Sequence, residues 1–130
     1  MADSAATRTA TGSVAVIGVG CTLMGDDGVG PALIARLGTE GVPNNVRLVD
    51  AGTALIDALP EVAACERILL VDACAAGRAP GAMCRVRLDP DTGPVEPLGD
   101  SLHHLDLLKV LALHRLTGAE LGDVVLIGIE

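Results

Sequence analysis

The stretch SVAVIGVGCTLMGDDGVGPALIARL, residues 13–37, holds an apolar run, a glycine-rich turn and the start of a helical pattern, in that order. Ser13 to Val19 is a largely β-branched run without polar alternation, which is the pattern of a strand buried on both faces. Pro31 suits the first turn of a helix, where its missing N–H costs nothing. Leu33, Ile34 and Leu37 then follow helical spacing, so the expected helix runs to about Leu37, with Gly38 and Gly41-Val42-Pro43 as its stop.

Working outward, the same alternation recurs. Val46 to Val49 reads as a second strand ending in Asp50-Ala51-Gly52-Thr53, and Thr53 is the expected N-cap of a helix through Leu55, Ile56 and Leu59 that ends near Pro60 or Val62. Ile68 to Val71 is a third apolar strand, closed by Asp72. A turn is expected at Gly77 to Gly81, and Met83 to Leu88 alternates as a half-exposed strand suited to a sheet edge. Asp89 to Gly99 contains Pro90, Pro94 and Pro97 and reads as a loop. Leu102 to Thr117 is the longest expected helix, with Leu105, Leu108, Val110, Leu111, Ala112 and Leu113 on a broad apolar face. Val124 to Ile129 is the last strand. The order predicts a single-domain α/β three-layer sandwich: a mostly parallel twisted sheet of about five strands with helices on both faces. Residues 1–12 read as a disordered leader and 13–130 as the domain. A sheet that ends on an apolar strand also calls for one more helix or a partner to cover it.

Composition narrows the function. Half of the 130 residues are hydrophobic, yet Phe, Tyr and Trp are absent, so the core is aliphatic and the stacking platforms of single-stranded nucleic-acid binders are missing. A formal net charge of −8 opposes binding to nucleic acid or an anionic membrane. No apolar run reaches the ~20 residues that span a bilayer, and the first residues lack the apolar segment of a signal peptide. Cys21, Cys65, Cys74 and Cys84 form no C-x-x-C pair and read as reduced thiols. A cytoplasmic location is expected.

Ligands of open α/β sheets bind outside the carboxyl ends of the strands. Asp27 follows the first strand, Asp50 ends the second and Asp72 the third, which places three carboxylates toward one crevice. The first loop is not a P-loop, and Leu23 occupies the third glycine position of G-x-G-x-x-G. A nucleotide-binding domain with Asp50 on a ribose is thereby the weaker alternative. Taken singly, Asp26-Asp27-Gly28 is a helix-capping turn, Asp72 a turn-capping strand end, and His103 a surface residue. His103 opens the long helix beside His104, where the helix dipole favours the neutral imidazole that binds metals. His114, deeper in that helix, reads as structural or exposed. Together, Asp27, Asp72 and His103 form a three-ligand set with open positions, suited to a borderline divalent cation such as nickel or zinc.

The run GVGCTLMGDDGVGP, the later DAGT at 50–53, VDA at 71–73, the SLHHLDLLKVL helix and the closing LIGIE resemble the hydrogenase maturation proteases, in one order from about Val14 to Glu130. The resemblance implies an endopeptidase that removes a C-terminal peptide from the hydrogenase large-subunit precursor after nickel insertion. It implies that Asp27, Asp72 and His103 are the metal-recognising and catalytic residues, and that the nickel arrives with the precursor. Zinc or cadmium fits the same donors. The sequence departs from the family pattern at Cys21, where Asn is usual, and at Glu130, beyond which a further helix is usual. A precursor-binding domain that does not cleave is the remaining alternative.

Overall fold

A computed structural model of the chain describes residues 12–20, 28–73, 79–89, 93–94, 110–114, 116 and 121–130. Asp27, His103, residues 1–11 of the leader, most of the proline-rich loop and the first turns of the long helix lie outside them. The described elements are β1 (Val14–Val19), α1 (Val29–Glu40), β2 (Val46–Gly52), α2 (Leu55–Ala58) continued by a 3-10 turn (Leu59–Val62), β3 (Arg67–Ala73), β4 (Met83–Asp89), β5 (Gly93–Pro94) and β6 (Asp123–Ile129). Residues 110–114 and 116, just before β6, are helical and are called α3 here.

The strands form one sheet in the order β2-β1-β3-β6-β4-β5. The first four run parallel, while β4 lies antiparallel to β6 and β5 antiparallel to β4. The expected α/β class and mostly parallel sheet hold. The proline-rich segment contributes a sixth, two-residue strand: Asp89 belongs to β4, and Gly93 and Pro94 pair with Asp89 and Leu88. A proline is tolerated at such an outer strand because no ladder donor is needed there.

The pleat divides the core in two. Ala15, Ile17, Val49, Ile68, Leu70, Val86, Leu88, Val124 and Leu126 point to the face covered by α2, the 3-10 turn and α3, whose Leu55, Leu59, Val62 and Leu111 complete the larger cluster. Val16, Val71 and Ile34 of α1 form the smaller cluster on the other face.

Three local expectations change. The first helix runs to Glu40 rather than stopping at Gly38. One helical glycine costs only about 1 kcal/mol, and the added turn carries an Arg36–Glu40 ion pair of 2.9 Å. Gly41, at φ +91°, ends the helix by donating its N–H to the Leu37 carbonyl. Thr53 does not cap the second helix: Ala54 holds the N-cap position without a side-chain bond. The Asp50 carboxylate accepts the Gly52 N–H at 3.0 Å and Gly52 turns at φ +55°, which delays helix entry by one residue. Leu113 is 56% exposed, so the apolar face of the last helix is narrower than its composition suggests. Gly12, assigned to the leader, is bonded through its N–H to Glu66 and through its carbonyl to Asn45.

Candidate active site

The carboxyl ends of β1, β2, β3 and β6 share one edge of the molecule, as parallel pairing requires. Asp72 is the penultimate residue of β3 and has no exposed surface. Its Oδ1 accepts the backbone N–H of Ala73 at 2.8 Å, which fixes the plane of the carboxylate. Gly128 stands beside it on β6, and Cys84 of β4 lies beyond Gly128. Burying a carboxylate is costly unless polar partners compensate it, so a sealed aspartate at a strand end is a special position.

Strand register settles which carboxylates share a face. Gly18 of β1 is paired with Asp50 on one side and with Val71 on the other. Side chains alternate along a strand, so Asp50 shares the α1 face with Val71, while Asp72 points to the opposite face. The expected convergence of Asp50 with Asp72 is therefore corrected: both end strands at the same edge, but on opposite sides of the sheet. Asp50 is exposed, and its carboxylate accepts the Gly52 N–H in its own turn.

Asp72 shares its face with Leu111 of α3. His114, three residues on and so on the same side of the helix, is 6% exposed, which decides the choice left open between a structural and an exposed residue. Among the described residues, no three His, Cys, Asp or Glu side chains converge as a cation site. Asp72 is the one described member of the set Asp27, Asp72 and His103.

Two glycines not singled out from the sequence shape this edge. A Cβ on Gly18 would lie 2.4 Å from the Gly30 carbonyl oxygen and 2.7 Å from Ile34 Cγ1. One on Gly30 would lie 2.4 Å from the Val19 oxygen and 2.6 Å from that of Val71. The first turn of α1 is thus seated directly on the backbone of β1 and β3. A glycine just before the proline of a helix start was the available signal.

The model of a family described as hydrogenase maturation protease matches residues 31–130, a span that takes in Asp72 and His103 and begins after Asp27. The chain is 32% identical over 118 residues to the hydrogenase expression/formation protein HupD of Rhodobacter capsulatus, covering 90% of this chain and 56% of that protein. It is 30% identical over 118 residues to the hydrogenase 2 maturation protease of Escherichia coli K12, covering 89% of this chain and 71% of the relative. It spans between 56% and 58% of the length of HupD and of two Azotobacter relatives. Among solved structures, the hydrogenase maturating endopeptidase HybD from E. coli superposes with a TM-score of 0.67 at 29% identity, over 90% of this chain and 73% of that one. The hydrogenase 3 maturation protease gives 0.64 at 28% identity, over 91% and 72%.

Proposed function

The chain belongs to the hydrogenase maturation protease family, and from that membership we propose that it is an endopeptidase that trims the C-terminal extension of a nickel-loaded hydrogenase large-subunit precursor. The observation that carries this reading is Asp72: a carboxylate with no exposed surface, held by the Ala73 N–H at the edge where parallel α/β sheets bind their ligands. Asp27, Asp72 and His103 supply two carboxylate oxygens and one imidazole nitrogen, a donor set that suits nickel and leaves coordination positions for the substrate. The nickel is part of the substrate. Held between precursor and protease, it fixes the scissile peptide and polarises the carbonyl toward a water nucleophile. Hydrolysis then leaves a new carboxyl terminus on the subunit and releases the extension with a new amino terminus.

A cytoplasmic location is part of this proposal. Among the described residues no helix is long and apolar enough to cross a membrane.

The test incubates the full chain with nickel-loaded precursor and with nickel-free precursor, followed by intact mass. Loss of the C-terminal extension only from the loaded form is expected. An unchanged mass with folded chain present overturns the endopeptidase reading; co-purification without cleavage would instead mark a precursor-binding domain.

A further inference from the structure

Four strands meet in one row on the face of Asp72. Val19 of β1 follows the Gly18–Val71 pair, Gly128 of β6 is paired with Asp72, and Cys84 of β4 is paired with Gly128. One step below, Ile17, Leu70, Leu126 and Val86 fill the same four positions with large buried side chains. In the row of Asp72, Val19 is buried and Cys84 half-buried, and the position between Asp72 and Cys84 carries no side chain. A glycine weakens a strand interior and marks a bulge, a bend, or a place that a ligand or another backbone approaches closely. The register of β6 with β3 and with β4 runs unbroken through Gly128, so it is not a bulge. Gly128 is also not among the glycines at positive φ, so its backbone is one that any residue adopts. Neither strand pairing nor conformation requires glycine there. What it supplies is room beside the buried carboxylate.

We infer that Gly128 sets the side from which the nickel of the precursor reaches Asp72: by carrying no side chain it keeps the β6 flank of the carboxylate clear. The inference rests on the reading of Asp72 as a nickel contact. Neighbouring strands lie about 4.8 Å apart, and a borderline divalent cation sits about 2.1 Å from a carboxylate oxygen. A cation on the β6 flank therefore takes the volume in which a Cβ on residue 128 would stand. On the β1 flank the buried Val19 already holds the corresponding position, so the approach is one-sided. Asp72 Oδ1 accepts the Ala73 N–H, and a carboxylate oxygen has lone pairs beyond a single hydrogen bond. Cys84 bounds the space without adding a ligand. Its strand lies about 9.6 Å from β3, whereas two bonds to one ion span only about 4.4 Å.

The experiment titrates the full chain with nickel chloride and follows backbone amide resonances, for wild type and Gly128→Ala. Urea denaturation of both is followed by far-UV circular dichroism. In the wild type, paramagnetic broadening is expected at Asp72 and Ala73, and more strongly at Gly128 on the β6 flank than at Val19 on the β1 flank. Absence of broadening at Asp72 overturns its reading as a nickel contact, and the inference with it. Broadening at Asp72 that favours Val19, or that affects both flanks equally, overturns the inference alone. Gly128→Ala is expected to keep the wild-type amide pattern on β3 and β6 with a denaturation midpoint no lower, since alanine in ordinary strand backbone loses less chain entropy on folding than glycine does. It is expected to need at least about 10-fold more nickel, the lower end of what disturbing the surroundings of a metal ligand costs. Unchanged nickel affinity in the folded variant overturns the inference. So does a marked fall in the midpoint or a failure to fold, which assigns the glycine to close packing against another backbone.

Discussion

Asp50 and Asp72 are both aspartates near the carboxyl ends of adjacent segments of the chain, and they do different things because the pleat sends them to opposite faces. Asp50 is exposed and closes a turn onto Gly52, whereas Asp72 is sealed. Replacing Asp72 by Asn keeps an acceptor for the Ala73 N–H and removes the charge. Processing of nickel-loaded precursor is expected to fall by about 100-fold or more, the scale of losing one electrostatic contact to a reacting centre, with the far-UV circular dichroism unchanged. Asp27→Asn is expected to act likewise, and retained processing in either variant would remove that residue from the site. Asp50→Ala is the contrasting case. It costs about 0.5–1 kcal/mol for one turn hydrogen bond and leaves processing intact; a loss of processing at unchanged fold would return Asp50 to the site.

At the scale of elements, the strands were legible and the helix ends were not. Residues 14–19, 68–71 and 124–127 are unbroken apolar runs, as parallel strands lying between helices on two faces tend to be, and such runs have few other readings. Helix ends depend on single hydrogen bonds worth about 1 kcal/mol, so Gly38 was overrun and Thr53 bypassed. Of the site, the placement of Asp72 at a strand end could be read directly, but its face required the register of three strands, which no local pattern carries. The seam at Gly18 and Gly30 is likewise a contact between distant backbones. The last helix gives the sharpest test of how composition overstates a face. Leu111 is fully buried and Leu113 is 56% exposed, two residues apart on opposite sides of one turn. Leu111→Ala is expected to cost about 2–5 kcal/mol, the range for a buried leucine, and Leu113→Ala about 0.5 kcal/mol or less, as for surface positions. Equal losses in chemical denaturation would mean that the helix presents a different side to the sheet.

Across the whole molecule, the two faces of the sheet are unequally covered. On the face of Asp72, Leu70, Leu126 and Val86 sit side by side on β3, β6 and β4, almost wholly out of solvent. On the α1 face, Val71, Ile127 and Arg85 form the corresponding row, followed by Ala73, Ile129 and Met83 toward the carboxyl edge. Coverage fails along those rows: Val71 is buried against α1, Ile127 and Ile129 are half-buried, and Met83 is 68% exposed. Burial contributes in proportion to the apolar area removed from water, about 25 cal/mol per Å², so the two faces should carry different shares of the stability. Truncating Leu126 is expected to cost about 2–5 kcal/mol, because it empties a filled site. Truncating Ile129, on the same strand three residues on, should cost about 1 kcal/mol, since part of its surface is already wet. The measurement is urea denaturation followed by far-UV circular dichroism, because a chain without Phe, Tyr or Trp offers no aromatic fluorescence. The comparison isolates the face, since both residues lie on β6 and both changes end in alanine. If Ile129→Ala proves as damaging as Leu126→Ala, the α1 face is closed over β6 in solution, and a segment or partner that packs there contributes to the fold as strongly as α3 does on the other side.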